Sequence, residues 1–335
     1  MKILITGGCG FLGTRLAKTL LQHDKLSVSG QTPQTIHQII LTDLVSPGAD
    51  LQSDHRIQFI GGDLRTLLAE GKLFTKEIDL VFHLAAAVSA ECEADFDLGM
   101  SSNLDTTLEL LQACRRSDCR PSVVFASSVA VFGSRPGEYW SDTVIDDDTL
   151  PTPQSSYGIQ KFIGEQLMAD FGRRGFIRAR SVRLMTVSVR PGRPNGAASG
   201  FLSGMIREPL SGLRARVPVD PATPVALASP ARTIEGLILA AQTSDDHWGA
   251  LTAMNLPSLR VTVGEMAQTL QRLGGAEAFH RLDWVIDPAI ARVVKSWPGQ
   301  IACARAARLG LVPDSSFDAI VQQYIDENRG AIQTR

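Results

Sequence analysis

Leu4-Ile5-Thr6-Gly7-Gly8-Cys9-Gly10-Phe11-Leu12-Gly13 reads as an apolar strand, a glycine turn and the start of a helix whose apolar positions continue at Leu16, Leu20 and Leu21. In that order the three pieces form a cradle for a pyrophosphate. Gly7 and Gly10 let the backbone turn sharply and approach phosphate oxygens with no Cβ between, and Gly13 lets the helix pack on its own strand. The helix N-terminus presents unpaired N–H groups and a positive dipole end to the anion. An acid completes the pattern. Asp43 closes the apolar run Ile39-Ile40-Leu41-Thr42, where a carboxylate accepts both ribose hydroxyls and repels a 2′-phosphate, so the expected cofactor is NAD. Asp43 comes about ten residues later than this motif usually places its acid. The polar stretch 22–38, with Gly30 and Pro33, is therefore expected to be an elongated loop.

Composition narrows the field. A chain of 335 residues with a net charge of −2 and no basic run argues against a nucleic-acid partner, because phosphate backbones demand clustered Lys and Arg. Arg15 and Lys18 among the early glycines spoil a signal peptide, and no unbroken apolar segment suits a membrane, so a cytoplasmic chain is expected. Cys9, Cys92, Cys114, Cys119 and Cys303 are odd in number and lack CxxC spacing, which favours free thiols. The six histidines are scattered, so no metal site is expected. Asp146-Asp147-Asp148 reads as a solvated loop, and Trp248, Trp284 and Trp297 as packing residues of the C-terminal half.

The first half alternates strand and helix. Apolar runs at 57–60, 80–84, 123–126 and 181–184 suit buried parallel strands; Leu104, Leu108, Leu110 and Leu111 fall on one helix and 157–171 on another. The fold class is α/β, a doubly wound parallel sheet of Rossmann type. Ligands of such sheets sit beyond the strand C-termini, where Asp63, Ala85 to Ala87 and Ser127-Ser128 are expected to join the cradle. After Thr186 prolines interrupt the pattern, and helices at 263–273 and 317–327 follow. The expected division is a dinucleotide-binding domain over 1–185, completed by part of 225–255, and a smaller substrate cap over 186–335.

A second motif, Tyr157-Gly158-Ile159-Gln160-Lys161, places a phenol and an ammonium four residues apart on one helix face. A free tyrosine titrates near ~10, and a neighbouring ammonium together with an oxidised nicotinamide favours its phenolate. Ser128 is then placed to hold a substrate oxygen while Tyr157 exchanges its proton, with Lys161 hydrogen-bonding the nicotinamide ribose.

Thr6 to Gly13, Asp43, Asp63-Leu64, His83 to Ala86, Asn103, Ser127-Ser128 and Tyr157 to Lys161 together resemble the extended branch of the short-chain dehydrogenase/reductase superfamily, the epimerase/dehydratase type. The resemblance implies NAD held by Gly7, Gly10, Phe11, Leu12, Asp43, Asp63, Leu64, Leu84, Ala85, Ala86, Asn103, Ala126, Tyr157, Lys161, Leu184 and Met185. It implies catalysis by Ser128, Tyr157 and Lys161 with Asn103 supporting a water, and homodimers joined by the helices that carry Asn103 and Tyr157. Phe132 stands where many nucleotide-sugar epimerases have tyrosine, and the segment after Arg183 lacks their Asn-Val-Tyr-Gly. Residues 95–99, 186–195, 198–201, 206–210 and 296–299 instead resemble the D-erythronate dehydrogenase group of that branch, with substrate held by Ser89, Ser128, Arg190, Asn195 and Ser199.

The expected activity is oxidation of a secondary hydroxyl of a short sugar acid, at C2 of a D-erythronate-type substrate, with NAD as acceptor. Arg190, Arg193, Arg207, Arg214 and Arg216 could hold a pyrophosphate as readily as a carboxylate. A nucleotide-sugar epimerase or dehydratase with tightly held NAD is therefore the alternative. A non-catalytic NAD-sensing protein would have no need of Ser128, Tyr157 and Lys161.

Overall fold

The computed structural model describes residues 1–74, 78–135, 138, 140, 143–192 and 199–333. Its central sheet contains β1 (Lys2–Thr6), β2 (Gln38–Asp43), β3 (Ile57–Gly61), β4 (Leu80–His83), β5 (Ser122–Ser128), β6 (Arg178–Leu184) and β7 (Met254–Asn255). Their spatial order is β7-β6-β5-β4-β1-β2-β3, and every pairing is parallel. The chain steps from β1 to β2 on one side and later to β4 on the other. That reversal opens a crevice above the C-terminal end of β1.

Both faces of the sheet are covered, which is why its strands are continuous apolar runs. Ile3 and Ile5 point into one core with Leu16 and Leu20 of α1 (Phe11–Leu21) and Leu237 of the helix Pro230–Gln242. Leu4 points into the opposite core, with Leu110 and Leu111 of α2 (Thr106–Ser117) and Met168 and Phe171 of α3 (Ser156–Arg173). A separate core gathers Leu202, Met205, Ile206 and Leu210 of α4 (Gly200–Leu210) around Val217, Val263, Leu270 and Phe317. Beside it runs a small sheet in which Pro224–Ala228 pairs with both Thr186–Val187 and Leu259–Thr262.

The structure differs from expectation in three places. The stretch 22–38 contains an antiparallel hairpin, Lys25–Leu26 with Gln34–Thr35, closed over buried Leu26, Val28 and Ile36. Trp248 packs under the Rossmann sheet, stacked between Arg180 and Arg305 at 5.2 and 5.4 Å, and Ala306 and Leu311 join the same core. The Asp146-Asp147-Asp148 turn is a structural tie: Asp147 accepts the Asn255 N–H at 2.7 Å and the Arg305 N–H at 3.4 Å. Among the described residues no helix is long and apolar enough to cross a membrane.

Candidate active site

The glycine turn after β1 is built as its spacing requires. Gly7 has φ +66°, and a Cβ there would sit 2.8 Å from the Ala85 nitrogen. At Gly13 a Cβ would run into the Gly7 carbonyl oxygen. Helix α1 follows Gly10 with no side-chain cap and no acid in its first turn, so its leading N–H groups are open to an anion. The turn fits a dinucleotide pyrophosphate. At its rim the Asp43 carboxylate accepts the Cys9 and Leu44 N–H groups at 3.0 and 2.7 Å, which aims it at this turn from the neighbouring strand.

From the turn a cavity of about 1190 Å³ runs across the strand ends toward the C-terminal half. Ordinary small-molecule pockets span about 300–1,000 Å³, so there is room for a dinucleotide and a small substrate together. Gly7, Gly10, Phe11, Leu12, Leu84, Ala86, Ser89, Ala126, Ser128, Tyr157, Lys161, Leu184, Met185, Arg190 and Ser199 all line it. Asp43, Asp63, Leu64, Ala85 and Asn103 do not. Asp63 caps the helix Leu64–Ala69 through the Thr66 N–H at 2.9 Å, and that bond holds its carboxyl below the usual range. Ala85 is packed against Gly7. Asn195, and Arg193 beside it, lie outside the described residues.

Ser155 caps α3 through the Gly158 N–H at 3.1 Å, which fixes where the helix begins and so puts Tyr157 in its first turn. Glu93 accepts the Ser156 N–H at 2.6 Å and locks the same turn from outside. The Ser128 hydroxyl, at the end of β5, hydrogen-bonds the Tyr157 phenol. Lys161 is buried; its Nζ donates to the Ala126 carbonyl at 2.9 Å and lies 5.7 Å from the Tyr157 ring centroid. Burial pulls Lys161 down to about 8. Burial also pushes the phenol up to about 12, against the Ser128 hydrogen bond and the Arg190 charge, which both favour the phenolate. Arg190 thus joins Lys161, whose Nζ lies over the same ring, as a second cation near the phenol.

Behind this wall lies a buried polar frame. Asn103 uses its amide on the chain around it: Oδ1 accepts the Ala87 N–H at 2.8 Å, and Nδ2 donates to Gln160 Oε1 at 2.8 Å. It pins the backbone beneath the cavity. Burial holds His83 down to about 3, so it is a neutral link between Thr6 at 2.7 Å and Thr107 at 3.0 Å. Glu165, four residues beyond Lys161, takes Arg183 in a fork at 2.9 and 2.8 Å and the Ser127 hydroxyl at 2.5 Å.

At the far end, the arginines separate by partner. Arg214 pairs with Asp283 and Arg216 with Asp287, both on the surface. Arg207 is buried on Glu208 at 2.5 Å. Arg190 lines the cavity, half-buried, with no carboxylate partner among the described residues. Arg135, Arg292 and Trp297 also line it, and no local pattern in the sequence marks the first two. Trp297 sits in the 296–299 segment, whose resemblance was its one signal.

Residues 3–224 match the family described as NAD dependent epimerase/dehydratase. The D-erythronate dehydrogenase of Cupriavidus necator is 44% identical over 98% of this chain and 98% of its own, and that of Haemophilus influenzae 39% identical over 97% and 99%. A solved structure described as the nucleoside-diphosphate-sugar epimerase from Agrobacterium tumefaciens superposes with a TM-score of 0.86 at 35% identity, covering 99% of this chain and 95% of that one. The family match runs through both the glycine turn and the Tyr157 helix, and the chain belongs to the NAD dependent epimerase/dehydratase family.

Proposed function

We propose that this NAD-dependent oxidoreductase oxidises the C2 hydroxyl of D-erythronate, or a close short sugar acid, to the 2-oxo acid. NAD, when bound, supplies the acceptor for the C2 hydride and a positive nicotinamide near the phenol. Tyr157 takes the hydroxyl proton as the carbonyl forms, Ser128 holds the reacting oxygen, and Lys161 holds the nicotinamide ribose. Gly7, Gly10, Phe11 and Leu12 take the pyrophosphate and Asp43 the adenosine ribose. Asn103 supports the site through Ala87. Residues 1–185, completed by Pro230–Gln242 and β7, form the cofactor unit, and the cap is drawn from the rest of 186–335.

The observation that carries this reading is Arg190. A guanidinium with no carboxylate partner among the described residues, near enough to Tyr157 to favour its phenolate, suits an acid whose carboxylate is next to the reacting carbon. The names of the two curated relatives point the same way. Arg190→Ala is expected to raise KM for the acid about ten- to a hundredfold with Tyr157 chemistry retained. The direct test is to incubate the protein with NAD and a panel of four- to six-carbon aldonic acids and follow free NADH. Nucleotide-sugar epimerisation, favoured by the name of the Agrobacterium structure and by Arg135 and Arg292 in the cavity, would instead turn over UDP-sugars with no net NADH.

Two further expectations belong here. Asp43 makes NAD the better cofactor, because a 2′-phosphate beside it would cost on the order of a few kcal/mol; equal kcat/KM with NADP in steady-state assays would contradict that role. Phe96, Leu98, Leu108, Ile159 and Ile163 expose apolar surface on the helical stretch 96–117 and on α3. They support a homodimer joined there, which sedimentation at twice the 36.1 kDa chain mass would verify and sedimentation at the single mass would refute.

A further inference from the structure

Ser199, the N-cap of α4, and Ser203 and Arg207 within it, spaced four apart along one face, all contact Arg190. Ser199, at the helix start, meets its Nη2 at 3.5 Å; Ser203 Oγ accepts its backbone N–H at 3.1 Å; and Arg207 Nη1 donates to its carbonyl at 2.7 Å. Arg207 is itself fixed, since Nη2 donates to Glu208 Oε1 at 2.5 Å, while the other Glu208 oxygen has no hydrogen-bond partner among the described residues. Arg207 does not line the cavity. Holding the Arg190 backbone at both the N–H and the C=O fixes the point from which its side chain starts, and so removes backbone freedom that substrate binding would otherwise have to remove.

We infer that α4 acts as a splint for Arg190, and that Arg207 is a positioning residue for the substrate's carboxylate, working through Arg190 rather than by touching the ligand. The inference rests on the reading of Arg190 given above. It assigns the two cap arginines unlike tasks. Arg190 meets the acid. Arg207, paired with Glu208, holds the Arg190 backbone carbonyl in the place from which its side chain reaches Ser199.

The test is a double-mutant cycle. Arg207→Ala is expected to raise KM for the acid about tenfold, with kcat within about twofold of wild type and KM for NAD unchanged. Arg207→Lys, which keeps one donor and the charge, is expected to recover part of the loss. The pair Arg190→Ala with Arg207→Ala is expected to be no worse than Arg190→Ala alone, because the second change acts only through the first side chain. Additive losses would mean that Arg207 meets the substrate itself, and a fall in kcat at unchanged KM would place it elsewhere in the reaction; either overturns the inference. Should Arg207→Ala not fold, Ser203→Ala, which removes the acceptor for the Arg190 N–H, replaces it in the same cycle. If wild type yields no NADH with any aldonate, the functional reading fails, and a crystal structure of Arg207→Lys or Ser203→Ala still decides the splint: Arg190 leaving Ser199 supports it, and Arg190 unmoved refutes it.

Discussion

Tyr157→Phe lowers turnover about a hundredfold or more while NAD affinity stays near wild type. The phenyl ring keeps its place in the first turn of α3, so the cavity wall is preserved, but the atom that receives the substrate proton is gone. The phenol starts from an unfavourable position, pushed up to about 12 by burial. Its deprotonation has to be assisted by the Ser128 hydrogen bond, the Arg190 charge and the cofactor. Wild-type oxidation is therefore expected to quicken as pH rises through the neutral range, since a larger fraction of Tyr157 is then phenolate, and the Phe variant to lose that slope. Steady-state rates across pH, with NAD titrated separately, check both parts; a Phe variant that turns over like wild type would assign the proton to another group.

Glu165→Ala is expected to cost about 3–5 kcal/mol of stability, because it leaves the Arg183 guanidinium buried without its counter-charge. The two side chains are 4% and 2% exposed, so neither the loss nor its repair can be left to water. The same carboxylate accepts the Ser127 hydroxyl beside Ser128, and Arg183 also stacks on Phe132 at 4.7 Å. The pair thus joins α3, β5 and β6 under the reacting groups. Guanidinium denaturation of the variant measures the cost directly. A loss below about 1 kcal/mol, the range of exposed pairs, would show that Arg183 finds solvent in the variant.

The parts of the site that were legible in the sequence are those whose physics is local. A glycine turn needs small residues at fixed spacing whatever surrounds it, and Tyr157 and Lys161 share a helix face by arithmetic alone. The contacts of Asn103 were not legible in this way, because its partners Ala87 and Gln160 stand 16 and 57 residues away. The arginines after β6 look alike in sequence; Asp283 and Asp287 take Arg214 and Arg216, and only the folded chain brings those two acids near, whereas Glu208 stands next to Arg207 in the sequence itself. The hairpin in 22–38 escaped because strands of two residues are too short to show a period. Trp248 escaped because its neighbours Arg180 and Arg305 come from strands and helices far apart in the chain.

That stacked tryptophan bears on how such a chain can be cut and rejoined. Ala306 and Leu311, near the C-terminus, are buried with Ile5 and Leu16 near the N-terminus, and Arg305 binds the backbone carbonyls of Trp248 and Ala253 at 3.3 and 3.1 Å. The nucleotide-binding half is therefore no portable cassette. Excised at residue 185 it would lack its edge strand, the helix beneath it and the segment that seals both, leaving apolar surface bare. Exchange of substrate preference between relatives is better sought by grafting the 186–210 stretch onto an intact chain than by swapping C-terminal halves.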